Sequence, residues 1–220
     1  MRRTIVISDI HGCYEELCAL LKKVELQQED RVIGVGDLTV KGPSNREVVE
    51  LFRSDSRFQS VVGNHDLALV ERWRDPSRHL KKHQQRAYDE LAVDGDTHVR
   101  YLASLPYFIE LDEHIIVHAG LRPFVALESQ SPKDCTELRT LGGDRTSRAG
   151  TPWYAEYEGP KKVIFGHWPS PELRIGPFAL GIDSGCVYGF ELTAYILETG
   201  DLVRVKAARE YQKPDKIQSA

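Results

Sequence analysis

A chain of 220 residues with 41% hydrophobic and 28% charged side chains suits one soluble α/β domain around a single core. A net charge of −4 argues against a protein that coats long nucleic acids, and no apolar run approaches the ~20 residues of a membrane span. The basic start reaches Asp9 too soon for a signal peptide, and four cysteines without a CxxC pair read as reduced thiols in the cytoplasm, a zinc–thiolate site being the weaker alternative.

In chain order, the apolar residues 4–7 predict a strand that ends at Asp9-Ile10-His11-Gly12. Alternate residues of an extended segment face one side, so Asp9 and His11 can reach the same ion. Residues 14–24 place Tyr14, Leu17, Cys18, Leu21 and Val24 on one helical face. Residues 32–35 predict a second strand leading into Gly36-Asp37. Ser44 predicts the start of a second helix, with Glu47 three residues on as a capping-box partner. Residues 58–62 predict a third strand ending at Gly63-Asn64-His65-Asp66. Strands alternating with helices favour parallel pairing and right-handed crossovers.

From Asp66 to about Leu105 the pattern is helical, broken near Asp75-Pro76. Its basic residues Arg72, Arg74, Arg78, Lys81, Lys82 and Arg86, with His79 and His83 between them, read as a solvated surface. The sharper alternative is a cap that grips the outer phosphates of a long anionic substrate. Residues 107–110 and 114–118 then predict a hairpin, the second arm ending at His118. Residues 123–160 are irregular, and a connection of that length is usually functional or disordered. Strands are expected at 162–165, just before His167, and at 178–182, 190–197 and 202–206. Residues 1–211 are expected to form one domain and 212–220 a loose polar tail.

Five strand-like segments thus deliver Asp9 and His11, Asp37, Asn64, His118 and His167 at their carboxyl ends, the edge where open α/β sheets place their sites. Any one of these residues alone reads as a turn former or a structural histidine; six in this order read as a metal site. Asp9, His11 and Asp37 suit one divalent cation, and Asp37, Asn64, His118 and His167 a second, with Asp37 bridging. Oxygen and imidazole donors suit manganese first, with iron or zinc as alternatives. Two such ions ~3.5–4 Å apart supply a hydroxide that attacks phosphorus and neutralise the phosphoryl oxygens.

The same motifs are those of a known family. The chain resembles the calcineurin-like metallophosphoesterases from Ile5 to about Arg204. Residues 36–43 (Gly-Asp-Leu-Thr-Val-Lys-Gly-Pro) resemble the phosphoprotein-phosphatase branch, and residues 163–168 and 181–189 are similar to symmetrical diadenosine tetraphosphatases. The resemblance implies an αββα sandwich of two mixed β-sheets flanked by helices. It implies that His65 protonates the leaving oxygen or steadies the phosphate, and that an arginine in the long connection, Arg139 or Arg145, faces the substrate. Trp168 and Tyr188 offer stacking surfaces but read better as packing, and Asp183 reads as a turn former or as support for a ligand histidine.

One departure bears on substrate. The branch reads Gly-Asp-x-x-Asp-Arg-Gly, and its second Asp orients the catalytic histidine; here Val40 and Lys41 stand at those places. Lys41 offers charge to a phosphate without the fork of a guanidinium. A histidine without its carboxylate is a weaker acid. That favours leaving groups that need no proton: phosphate, with a second pKa of about 6, over phenolate at about 10. The expected substrates are phosphorylated small molecules, with phosphoanhydrides such as diadenosine tetraphosphate or other nucleoside polyphosphates first. A broad-specificity protein phosphatase acting on phosphoproteins, or an inactive metal- or phosphate-binding module, are the alternatives.

Overall fold

The computed structural model describes residues 2–93 and 95–213. The first half alternates as the sequence predicts: β1 (Thr4–Ile7), α1 (Tyr14–Lys23), β2 (Arg31–Gly34), α2 (Asn45–Ser54), β3 (Phe58–Ser60). A helical stretch follows, α3 (Asn64–Arg74), α4 (Lys82–Leu91) and α5 (Thr97–Ser104). The second half holds β4 (Phe108–Glu110), β5 (His114–Val117), the short α6 (Pro132–Glu137) and α7 (Trp153–Glu156), β6 (Lys162–Phe165), β7 (Arg174–Gly176), β8 (Ala179–Gly181), β9 (Glu191–Ile196) and β10 (Leu202–Lys206).

Two five-stranded sheets run β10-β9-β1-β2-β3 and β4-β5-β6-β8-β7. Each has three parallel strands beside antiparallel ones: β1, β2 and β3 in the first, β5, β6 and β8 in the second. The sheets pack face to face, with Val6, Ile33 and Val61 of the first meeting Ile116, Ile164 and Leu180 of the second. Their alternate neighbours face outward into helices: Ile5 and Ile7 pack with Leu17, Leu20 and Val48, and Val117 and Phe165 with Trp153. Both faces of the inner parallel strands β1, β2, β5 and β6 are therefore largely buried, which is why they are nearly continuous apolar runs, whereas edge strand β3 exposes Gln59. This is the αββα sandwich of two mixed sheets flanked by helices.

Three details differ from the expectation. The Ser44 side chain makes no capping bond to α2; Glu90 of α4 does that work, accepting from the Arg46 amide at 2.9 Å and from Asn45 Nδ2 at 2.6 Å. Strand β7 is an addition, an edge strand antiparallel to β8. The irregular stretch 123–160 contains α6 and α7, joined across by a bridge between Thr140 and Pro152. Of the expected tail, the Gln212 amide donates to the Val187 carbonyl at 3.0 Å, and residues 214–220 lie outside the described residues. Among the described residues, no helix is long and apolar enough to cross a membrane.

Candidate metal centre

The carboxyl ends of β1, β2, β3, β5 and β6 converge, and their following loops bring all six predicted ligands together. The loops are tightly bent. Seven non-glycine residues adopt left-handed backbone among the described residues, and five of them stand here: His11, Asp37, Val40, Lys41 and His167. Each costs about 1–2 kcal/mol, and β-branched Val40 is the least suited to it. Glycine makes the close approach feasible: a Cβ on Gly63 would collide with Asp37, and one on Gly166 with the Asp9 carboxylate.

Hydrogen bonds offset that strain. Asp66 accepts from the amides of Leu38 (3.1 Å), Thr39 (3.0 Å) and Gly63 (3.2 Å) and from the Thr39 hydroxyl (2.6 Å), so one buried carboxylate ties the loop after β2 to the loop after β3. The Val40 amide donates to Asn45 Oδ1 at 2.6 Å. Arg86 donates to the carbonyls of Lys41 (3.1 Å) and Gly42 (2.7 Å).

The donor atoms are aimed. His11 Nδ1 donates to the Thr39 carbonyl at 3.0 Å and His118 Nδ1 to the Val35 carbonyl at 2.9 Å, which leaves both Nε2 lone pairs facing the site. Asp37 Oδ2 lies between them, 3.5 Å from His11 Nε2 and 3.6 Å from His118 Nε2, the place of a bridging carboxylate. Asn64 Oδ1 lies 3.0 Å from His118 Nε2 and 3.0 Å from His167 Nδ1. Both Asp9 oxygens accept from the His167 amide at 3.1 Å, so the first and last ligands of the sequence are neighbours.

Electrostatics say what this arrangement wants. Burial first, then the charges of Asp183 and Asp37, raise the Asp9 carboxyl well above its ordinary range. Burial pushes Asp37 and Asp183 up to about 6. Burial also holds His11, His65 and His167 well below the ordinary imidazole value and His118 at about 4. Three buried carboxyls and four neutral imidazoles crowd one pocket. A neutral His118 with its proton on Nδ1 presents a lone pair to the Asn64 oxygen, and two acceptors 3.0 Å apart call for a cation between them. The Lys41 ammonium is the cation present, 2.9 Å from His11 Nε2. The donor set therefore fits divalent cations, and Lys41 stands in for their charge.

The pocket holding these atoms, about 50 Å³, is lined by Asp9, His11, Asp37, Lys41, Asn64, His65, Arg139, His167, Pro169, Asp183 and Tyr188. It opens into a cleft of about 220 Å³ that shares Lys41, Asn64, His65, Arg139, Pro169 and Tyr188 with it and adds Lys81, His83, Gln84, Arg148, Gln212 and Lys213. Among the described residues, five lysines and arginines line that cleft and no carboxylate does. His65 belongs to both spaces; its ring nitrogen lies within 4.8 Å of donor atoms of His11 and Asp37, and its Nδ1 is buried without a partner.

The structure separates the two arginine candidates. Arg139 lines both spaces and is buried deeply enough that its guanidinium falls to about 10. Arg145 instead pairs with Asp134 at 2.6 Å, alongside Arg122, and lines neither space, so the expectation that it faces substrate is not met. The basic segment divides likewise: Lys81 and His83 reach the cleft, Arg86 anchors the loop at 41–42, and Arg78 pairs with Glu71 on the surface. Trp168 is packed, with Arg174 stacked 4.1 Å from its ring centre. Tyr188 is in the cleft, beneath Lys41. Asp183 forms the turn, accepting from the Gly185 amide at 3.0 Å, and its residue also lines the pocket. The sequence reading missed Asp66 and Asn45; an acid three residues after a glycine at a helix start was the available signal.

The sequence profile described as calcineurin-like phosphoesterase matches residues 2–205. An asymmetrical bis(5'-nucleosyl)-tetraphosphatase of Geobacillus sp. is 29% identical, covering 97% of this chain and 98% of its own. A symmetrical one of Janthinobacterium sp. is 27% identical over 97% and 99%. A crystal structure described as a candidate diadenosine tetraphosphatase superposes with a TM-score of 0.81 at 32% identity, covering 93% of each chain.

Proposed function

The chain belongs to the calcineurin-like phosphoesterase family, a metallophosphoesterase by that membership, and from this premise we propose that it hydrolyses phosphoanhydride bonds of nucleoside polyphosphates such as diadenosine tetraphosphate. Asp9, His11 and Asp37 would hold one divalent cation, and Asp37, Asn64, His118 and His167 the other. The ions are expected to be manganese, iron or zinc, manganese being the first to reconstitute. When bound, such a pair supplies a nucleophile at neutral pH and neutralises charge on the phosphoryl oxygens.

The chain's own residues do the rest. Thr39 and Val35 carbonyls hold the His11 and His118 rings so that each presents Nε2 to a cation. Lys41, released from His11 Nε2 once a cation takes that lone pair, is free to bind a phosphoryl oxygen. Arg139 stays ionised at pH 7 and binds a second. The cationic cleft receives the rest of the polyphosphate chain, with the Tyr188 ring on its wall. His65 is neutral at pH 7, because burial and then the Lys41 charge lower it, and its Nδ1 has no partner to orient the ring. A poorly oriented neutral imidazole gives little help to an alkoxide, so the reaction favours a leaving group that departs as phosphate.

The observation that carries this reading is a cleft lined by five lysines and arginines joined to a pocket of metal donors. Four free thiols agree with a cytoplasmic setting. The test is a rate comparison of the manganese-loaded protein on diadenosine tetraphosphate, a phosphotyrosine peptide and a phosphoserine peptide, expected to fall in that order. Phosphoserine as the fastest would contradict it. Two molecules of ADP, or ATP with AMP, will report which anhydride bond breaks.

A further inference from the structure

Among the described residues, one other cluster of metal-ligating side chains is buried outside the pocket of oxygen and nitrogen donors. Cys13 closes the start of α1, Glu16 lies in the first turn of that helix, and Cys186 opens a short 3₁₀ turn, Cys186–Tyr188, just after Asp183. A sulfur from each cysteine and an oxygen from Glu16 lie within 4.8 Å of one another. The two thiols pair with each other. Exposure is 0% for Cys13, 1% for Cys186 and 3% for Glu16.

Glu16 shows that something more than packing is served. Its Oε1 accepts from the Ala208 amide at 2.9 Å and the Tyr211 hydroxyl at 2.8 Å. Its Oε2 is buried and has no hydrogen-bond partner. A carboxylate oxygen kept from water without a donor is costly, and a thiol is too weak a donor to relieve it. Two sulfurs and one carboxylate oxygen are a ligand set for a thiophilic cation. Donors around one tetrahedral zinc stand about 3.6 Å apart, from bond lengths near 2.0–2.3 Å, so the observed spread needs only a slight closing.

We propose that Cys13, Glu16 and Cys186 form a second cation site, one that takes a thiophilic ion such as zinc or cadmium and is distinct from the oxygen- and nitrogen-lined pocket. Binding releases the two thiol protons to solvent, and the ion accepts lone pairs from two thiolates and from Glu16 Oε2. The ion fastens three segments: the start of α1, which continues the loop carrying His11; the turn after Asp183; and the segment after β10, which Glu16 already holds through Ala208 and Tyr211. That last segment also covers the turn, since the amides of Tyr211 and Gln212 both donate to the Val187 carbonyl. The ion enters as this segment packs.

The test is titration of the full-length, manganese-loaded protein with cadmium, followed by the near-ultraviolet thiolate-to-cadmium charge-transfer band and by cadmium NMR. The pocket of oxygen and nitrogen donors has no sulfur, so it gives no charge-transfer band, and any cadmium it takes up resonates in the nitrogen–oxygen range, apart from thiolate-bound cadmium. The expected result is one equivalent of thiolate-bound cadmium, unchanged in Cys18→Ser and lost in Cys13→Ser and Cys186→Ser. In Glu16→Gln the affinity should fall on the order of tenfold or more. If the cysteine variants do not fold, the wild-type resonance decides: a position in the range of two sulfur ligands supports the site. A wild-type protein without the band, cadmium resonances confined to the nitrogen–oxygen range, or a band that survives in Cys186→Ser overturns it.

Discussion

Replacing Asp66 by asparagine tests whether the metal pocket is held by its loops rather than by its ligands alone. Asp66 binds no predicted cation, yet Oδ2 accepts from the Leu38 and Gly63 amides and Oδ1 from the Thr39 amide and hydroxyl. An asparagine keeps the shape but only one carbonyl oxygen. Turned toward Leu38 and Gly63, its amide nitrogen would confront two N–H groups; turned toward Thr39, it can donate to the hydroxyl and only the Thr39 amide loses its acceptor. The second orientation is the cheaper, and at about 1–3 kcal/mol for one unmet group Asp66→Asn should cost about 1–3 kcal/mol. That is a large share of a typical stability of 5–15 kcal/mol. The damage should reach the cations, because the Thr39 carbonyl aims His11 and Asp37 lies two residues before it. Urea unfolding of the metal-free protein measures the first effect and manganese titration the second. A loss below about 0.5 kcal/mol with unchanged manganese affinity would refute the reasoning, since an ordinary surface substitution does no more.

Four further outcomes follow. Asp37, Asp66 and Asp183 are pushed up to about 6 by burial, so each carboxyl binds its proton more tightly folded than unfolded. Alone, the carboxyls would cost stability as pH rises from about 4 to about 6, but His11, His65, His118 and His167 are held low and act with the opposite sign over the same window, so the metal-free protein should change little in stability there; a steep monotonic fall in thermal melts across that window would contradict it. Gly63→Ala should destabilise by about 1–3 kcal/mol and release metal, because the new methyl meets Asp37; retention of two ions by elemental analysis would count against it. Arg139→Ala should raise KM for diadenosine tetraphosphate, whereas Arg145→Ala should leave KM alone and lower the melting temperature through Asp134. His65→Ala should keep its metal and lose little rate on any leaving group, because the neutral, unoriented ring is a poor acid; a loss concentrated on poor leaving groups would show that His65 does protonate them.

The site was largely legible in the sequence because strand ends and ligands coincide. Asp9, Asp37 and Asn64 each follow an apolar run, and such runs mark strands buried on both faces. Long-range pairings were not legible in the same way. The Ser44 capping box failed because distant partners serve this helix start instead: the Ser44 amide donates to the Gly12 carbonyl, and Glu90 accepts from the Arg46 amide. Arg139 and Arg145 looked alike in sequence, and only the fold reveals that Asp134 claims one of them. Strand β7 is a three-residue edge with exposed Ile175, too short and too wet to leave a periodic trace. Asp66 was read as part of a motif rather than as the tie between two loops, since its four partners lie at positions 38, 39 and 63.

Metal stoichiometry in the wild-type protein and in Asp37→Ala tests the central claim most directly. Asp37 Oδ2 sits between the His11 and His118 ring nitrogens, where one carboxylate would serve both proposed cations. After manganese reconstitution and desalting, the wild-type chain should retain two ions and Asp37→Ala neither. A wild-type chain holding a single ion, or a variant that still holds two, would contradict a shared two-cation centre.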